Sequence, residues 1–106
     1  MVRALINVPK IAKRGDLVEI RVLISHIMET GFRRDARGEV IPREIINTFV
    51  CTYTAEEVLR IEMFPAISAN PYFAFSTIAR ESGTIAFTWT DDQGAVQTEK
   101  AEIIVA

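Results

Sequence analysis

Two side chains are of the types that do covalent or proton-transfer work: a lone cysteine, Cys51, and a lone histidine, His26. A cysteine acts as nucleophile or sulfur carrier through its thiolate, which needs an electropositive, partly exposed setting. Phe49, Val50, Thr52 and Tyr53 surround Cys51 along the chain, and nothing cationic flanks it. The expected role is that of a small hydrophobe in a strand. His26 follows Ser25, but neighbours in an extended strand point to opposite faces, so the two form no dyad. No Asp adjoins them to orient the ring. His26 is expected to hydrogen-bond a loop backbone, or to donate across an interface, rather than to shuttle protons. One His and one Cys offer two ligands, fewer than a blue-copper site, a facial iron triad or the usual catalytic zinc requires. The five glycines are scattered singly, so there is no phosphate loop. No catalytic residue, metal or cofactor is expected.

Binding chemistry has better candidates. Arg33, Arg34, Arg37 and Arg43 cluster in one stretch of an acidic chain of net charge −2. Forked guanidinium donors suit an anion or an acidic partner, although Asp35, Glu39 and Glu44 lie among them. Met28, Phe32, Phe64, Tyr72 and Phe73 form a second group. Phe64-Pro65 and Pro71-Tyr72-Phe73 flank one crossover, Ala66 to Asn70. Residues 72–79 carry apolar side chains on both faces, with Phe73 and Phe75 on one and Tyr72, Ala74 and Ile78 on the other. A strand apolar on both sides has its second face covered by something, so a protein–protein surface is expected here.

The elements that must position these residues are strands. Residues 2–8 alternate, with Val2, Ala4, Ile6 and Val8 on one side. A basic link, Lys10 to Arg14, leads to a turn at Gly15. Val18, Ile20, Val22 and Ile24 then face one way in a half-buried strand over 17–25; stiff β-branched residues argue against a helix. Residues 26–43 break the pattern in a long ordered excursion with a small hairpin at its tip. Strands resume over 45–53, with Phe49, Cys51 and Tyr53 on one face. A turn follows at Thr54 to Glu57, then strands over 58–64, 72–79, 84–90 and 95–105, with a hairpin loop at 91–94. About seven short strands separated by turns predict an all-β, immunoglobulin-like β-sandwich. At 106 residues, the chain reads as one domain over 1–106. A pI near 5.4 argues against a nucleic-acid partner, and no apolar run is long enough to span a membrane. A single cysteine forms no internal disulfide. The start of the chain does not read as a signal peptide.

At Leu23-Ile24-Ser25-His26-Ile27-Met28-Glu29-Thr30-Gly31-Phe32-Arg33 the sequence resembles the SoxZ family, the smaller subunits of the SoxYZ sulfur-carrier complexes. The resemblance continues through Ile45-Ile46-Asn47-Thr48-Phe49-Val50-Cys51-Thr52-Tyr53. It recurs in Phe64-Pro65-Ala66-Ile67-Ser68-Ala69-Asn70-Pro71-Tyr72-Phe73-Ala74-Phe75 and in Phe87-Thr88-Trp89-Thr90-Asp91-Asp92. Ile27 departs from the proline common after the histidine. The resemblance implies a non-catalytic scaffold that pairs with SoxY, the subunit whose cysteine-bearing C-terminal arm carries the sulfur during thiosulfate oxidation. It also implies a periplasmic protein exported with that signal-bearing partner, and transient contacts with pathway enzymes. On this view Met28, Phe32, Arg33, Arg34, Phe64, Tyr72 and Phe73 are the candidate partner-binding residues. The alternative is a thiol-dependent redox or sulfur-transfer enzyme using Cys51.

Overall fold

A computed structural model describes residues 3–65, 67 and 69–106. Val2, Ala66 and Ser68, on which parts of the first-strand and crossover expectations rest, lie outside the described residues. The chain is all strand in its regular elements: β1 (Arg3–Asn7), β2 (Ile11–Ala12), β3 (Leu17–Ser25), β4 (Ile46–Tyr53), β5 (Glu56–Glu62), β6 (Tyr72–Ile78), β7 (Gly83–Asp91) and β8 (Val96–Val105). They form a three-stranded sheet, β1-β3-β6, and a five-stranded sheet, β2-β8-β7-β4-β5. All pairings are antiparallel except β2 with β8.

The period-two pattern is what lets the sheets stack. In β3, Val18, Ile20, Val22 and Ile24 are buried and every intervening residue is exposed. They meet Phe49, Cys51 and Tyr53 of β4 and Ile85, Phe87 and Trp89 of β7, all in one hydrophobic core. Register places Trp89 beside Phe49, Phe87 beside Cys51 and Ile85 beside Tyr53. Phe49 bridges the sheets: its ring centroid lies 5.0 Å from Phe73 of β6 and 6.2 Å from Phe87. Tyr53 ties the crossing from β6 to β7. Its hydroxyl donates to Glu81 O and accepts the backbone N–H groups of Arg80 and Glu81, and the Arg80 guanidinium stacks over its ring.

Two boundaries differ from the sequence expectation. Among the described residues the strands number eight, the seven expected plus the short β2 inside the basic link, whose two residues are too short to show a period. The 54–57 turn is tighter than expected. Thr54 and Ala55, at φ 49° and 68°, make a two-residue turn with positive φ at both central positions, and β5 begins at Glu56. That conformation matches the twist of the flanking strands, but it normally advertises itself with Asn or Gly.

The excursion between β3 and β4 is a hairpin. Glu29 pairs with Glu44 and Arg34 with Val40, closed at the tip by Asp35. The molecule is elongated, measuring 59 × 21 × 20 Å.

Candidate functional site

Cys51 lies fully buried between Phe49 and Tyr53 on the core face of β4. Burial pushes its thiol up to about 12. At neutral pH almost no thiolate forms, and the sulfur is closed off from solvent. The structure gives Cys51 a packing role.

His26 sits where β3 enters the hairpin. Its backbone N–H donates to Asn70 Oδ1 and its carbonyl accepts from Asn70 N–H. Its ring Nδ1 accepts the backbone N–H of Met28 at 3.0 Å. Folding brings beside it two carboxylates that sequence neighbourhood did not reveal. Nε2 is 3.9 Å from Glu44 Oε1, and the polar atoms of His26, Glu44 and Asp91 lie within 4.8 Å of one another. Burial, and next the charge of Asp91, raise the Glu44 carboxyl above its usual value. One imidazole and two carboxylates are a metal-ligand set by type. The hydrogen bond from Met28 opposes that use. It occupies the Nδ1 lone pair, so the neutral ring carries its hydrogen on Nε2, the atom facing the carboxylates. One Asp91 oxygen is taken by the N–H groups of Gln93 and Ala95. The cluster fits a polar strap at the hairpin root better than a metal seat.

Beside it, Asp92 makes a second strap. Its carboxylate accepts both forks of Arg43 at 2.8 Å, the backbone N–H of Ile45 and the side-chain amide of Asn47. The Arg43 guanidinium comes first among the causes that hold its carboxyl below the usual range.

These contacts redistribute the candidate residues. Met28 is no surface residue: it is buried at φ 51°, with its sulfur accepting the N–H of Ile46 at 3.3 Å. Phe73 likewise faces inward against Phe49, because its parity on β6 is the core parity. Within this chain both pack against the core, Met28 buried and Phe73 half-buried. Arg33 is clamped on the nearly buried Glu29 and Arg43 on Asp92, so neither guanidinium is a free anion receptor. Arg34 donates to Gly38 O. Among the described residues, Arg37 has no side-chain partner. Phe32, Phe64 and Tyr72 remain exposed, Phe32 at 81%.

The outer face of β1-β3-β6 holds a grouping that linear reading missed. Register sets Leu5, Leu23 and Tyr72 in one row across the three strands and Leu17 beside Ile78 in another. All five are exposed, and the first row lines shallow depressions of about 320–380 Å³ with Arg21 and Asn70 at their rims. Only cross-strand register reveals it, since Leu5 and Tyr72 are far apart in sequence.

The fold and these surfaces define the class: an immunoglobulin-like two-sheet sandwich whose lone thiol is sealed and whose three-stranded sheet carries exposed apolar rows on its outer face. Residues 6–102 match the family described as Sulphur oxidation protein SoxZ. The chain therefore belongs to the SoxZ family, a family of sulfur oxidation. No curated protein sequence matches it. Solved structures share its fold at low identity. The superoxide reductase (neelaredoxin) from Ignicoccus hospitalis is 17% identical with a TM-score of 0.71, covering 97% of this chain and 80% of that one. The sulfur carrier protein SoxY from Chlorobium limicola f thiosulfatophilum is 13% identical with a TM-score of 0.68, covering 97% and 78%. The CARDB domain of PF1109 from Pyrococcus furiosus is 10% identical with a TM-score of 0.57, covering 100% and 88%.

Proposed function

We propose that this chain is the scaffold subunit of a SoxYZ-type heterodimer. It holds a SoxY subunit whose cysteine arm carries sulfur intermediates, and it performs no bond-making itself. The observation that carries this reading is the family match over residues 6–102. The sealed Cys51 thiol supports the division of labour, because a subunit displaying its own sulfur nucleophile would need it exposed. A mobile arm also needs a rigid platform, and a sandwich tied by Tyr53 and Asp92 is one. The pair works in the periplasm, this chain travelling with its signal-bearing partner. The hairpin 29–44 supports contact with pathway enzymes, with Arg34 and Arg37 as the cations still open to an acidic surface or to the anionic sulfur adduct.

Expressing the chain with and without a SoxY-type subunit and measuring mass in solution tests the pairing. A stable one-to-one complex is expected. A monomer indifferent to the subunit, with sulfur-transfer turnover of its own, overturns it. Arg34→Glu with Arg37→Glu tests the hairpin: turnover of carrier-bound sulfur should fall at low salt and the difference should shrink at high salt. Unchanged kinetics across salt removes that role.

A further inference from the structure

The two sheets have four free edges, and both edges of the five-stranded sheet are guarded. β2 is two residues long and β5 carries Glu56, Glu57, Arg60 and Glu62. Shortness and charge are the usual devices that keep edges from pairing with other chains. β6 has neither. It runs Tyr72-Phe73-Ala74-Phe75-Ser76-Thr77-Ile78 with no charge, proline, glycine or register shift.

Among the described residues, the hydrogen bonds show which of its backbone groups have no partner. Ile24 N–H donates to Pro71 O and Ala79 N–H to Asp16 O. Both pairs fall on the same register, Val22 opposite Phe73 and Ile20 opposite Phe75. Antiparallel pairing alternates, so Phe73, Phe75 and Thr77 bond to β3. Tyr72, Ala74, Ser76 and Ile78 point their N–H and C=O groups away from the sheet. Four alternating donor–acceptor pairs at a two-residue repeat are matched in full by one ligand type, an extended strand.

We infer that the partner subunit docks a strand of its own sandwich along β6, extending the β1-β3-β6 sheet. This rests on the SoxZ reading. The SoxY structure that resembles this chain has the same two-sheet fold, so a partner of that kind has strands to offer. The apolar rows Leu5–Leu23–Tyr72 and Leu17–Ile78 both end at this edge, so an added strand with apolar residues at matching positions continues and covers them. No charge on β6 opposes the approach.

Ala74→Pro removes one outward N–H while leaving the β3 ladder intact. Ser76→Lys places a charge on the same edge, and Thr98→Lys, exposed on β8, is the control. With the host's SoxY-type subunit, the wild type and Thr98→Lys should form the heterodimer, and the two edge variants should lose at least 100-fold in affinity while melting like the wild type. If Ala74→Pro does not fold, Ser76→Lys carries the test. On complex formation, the Tyr72, Ala74, Ser76 and Ile78 amides should gain hydrogen-exchange protection, those at 73, 75 and 77 being protected already. A wild-type heterodimer unaffected by either edge variant overturns the edge and leaves the SoxZ reading standing. No heterodimer at all overturns both. A homodimer of the chain alone, broken by the same variants, assigns the edge to a second copy instead.

Discussion

At Cys51 the physics of one side chain separates two functions. A carrier or nucleophile needs thiolate, and a thiol raised to about 12 supplies almost none at neutral pH. Cys51→Ala should therefore leave sulfur-oxidation turnover near wild type, and native Cys51 should resist alkylation until the protein unfolds. Abolished turnover or rapid native labelling would restore the enzyme alternative. Tyr53 makes the opposite case, where a polar group matters through what it satisfies. Its hydroxyl serves one carbonyl and two N–H groups of the β6–β7 connection. Tyr53→Phe leaves these without their partner and should cost about 1–3 kcal/mol, read by chemical denaturation. Both residues were legible as core from their parity with Phe49. The hydroxyl's partners were not, since nothing in a linear pattern brings Tyr53 to Arg80 and Glu81.

At the scale of elements, alternation announced every long strand and failed where contact replaces periodicity. The two residues of β2 exist because β8 accepts them, and Met28 is buried because the hairpin root turns at φ 51°. The candidate surface was half visible: Tyr72 stood out on a two-sided strand, while Leu5 and Leu23 join it only through register. The arginine cluster was visible as charge, but its pairing with Glu29 and Asp92 depends on the fold. Asp92 holds the hairpin root to the β7–β8 loop, and its carboxyl is depressed in the folded state. A depressed carboxyl stabilises above its unfolded value, about 3.9, and that contribution is lost as pH falls through the folded value. Asp92→Asn should therefore lower the melting temperature at neutral pH, and the gap to wild type should narrow as the pH falls below the unfolded carboxyl value and through the depressed folded one. A gap independent of pH would show that packing rather than charge is lost.

The whole molecule divides into a sandwich and a projecting hairpin. The sandwich holds the entire core apart from Met28 and Ile45 at the hairpin root, whereas residues 33–40 are all exposed. Its Cα radius of gyration, 16.2 Å, exceeds the roughly 13 Å of a compact chain of this length. The tip of the hairpin, residues 33–40, contributes nothing to the core. Such a projection is costly to keep ordered unless something uses it: Glu29 is nearly buried under Arg33, and Gly31, at φ 86°, sits where a Cβ would come 3.0 Å from Arg43 Cβ. Arg33 and Ile41 face each other through a backbone hydrogen bond, so residues 34–40 can be replaced by an Asn-Gly turn, the favoured two-residue hairpin closure. The shortened chain should melt within a few degrees of wild type, scatter X-rays as a more compact particle, and still pair with the carrier subunit through β6. Turnover of carrier-bound sulfur by pathway enzymes should fall, because the removed tip carries Arg34 and Arg37. Lost pairing would place the partner on the hairpin instead of the sheet edge, and full turnover would leave the hairpin without the docking role.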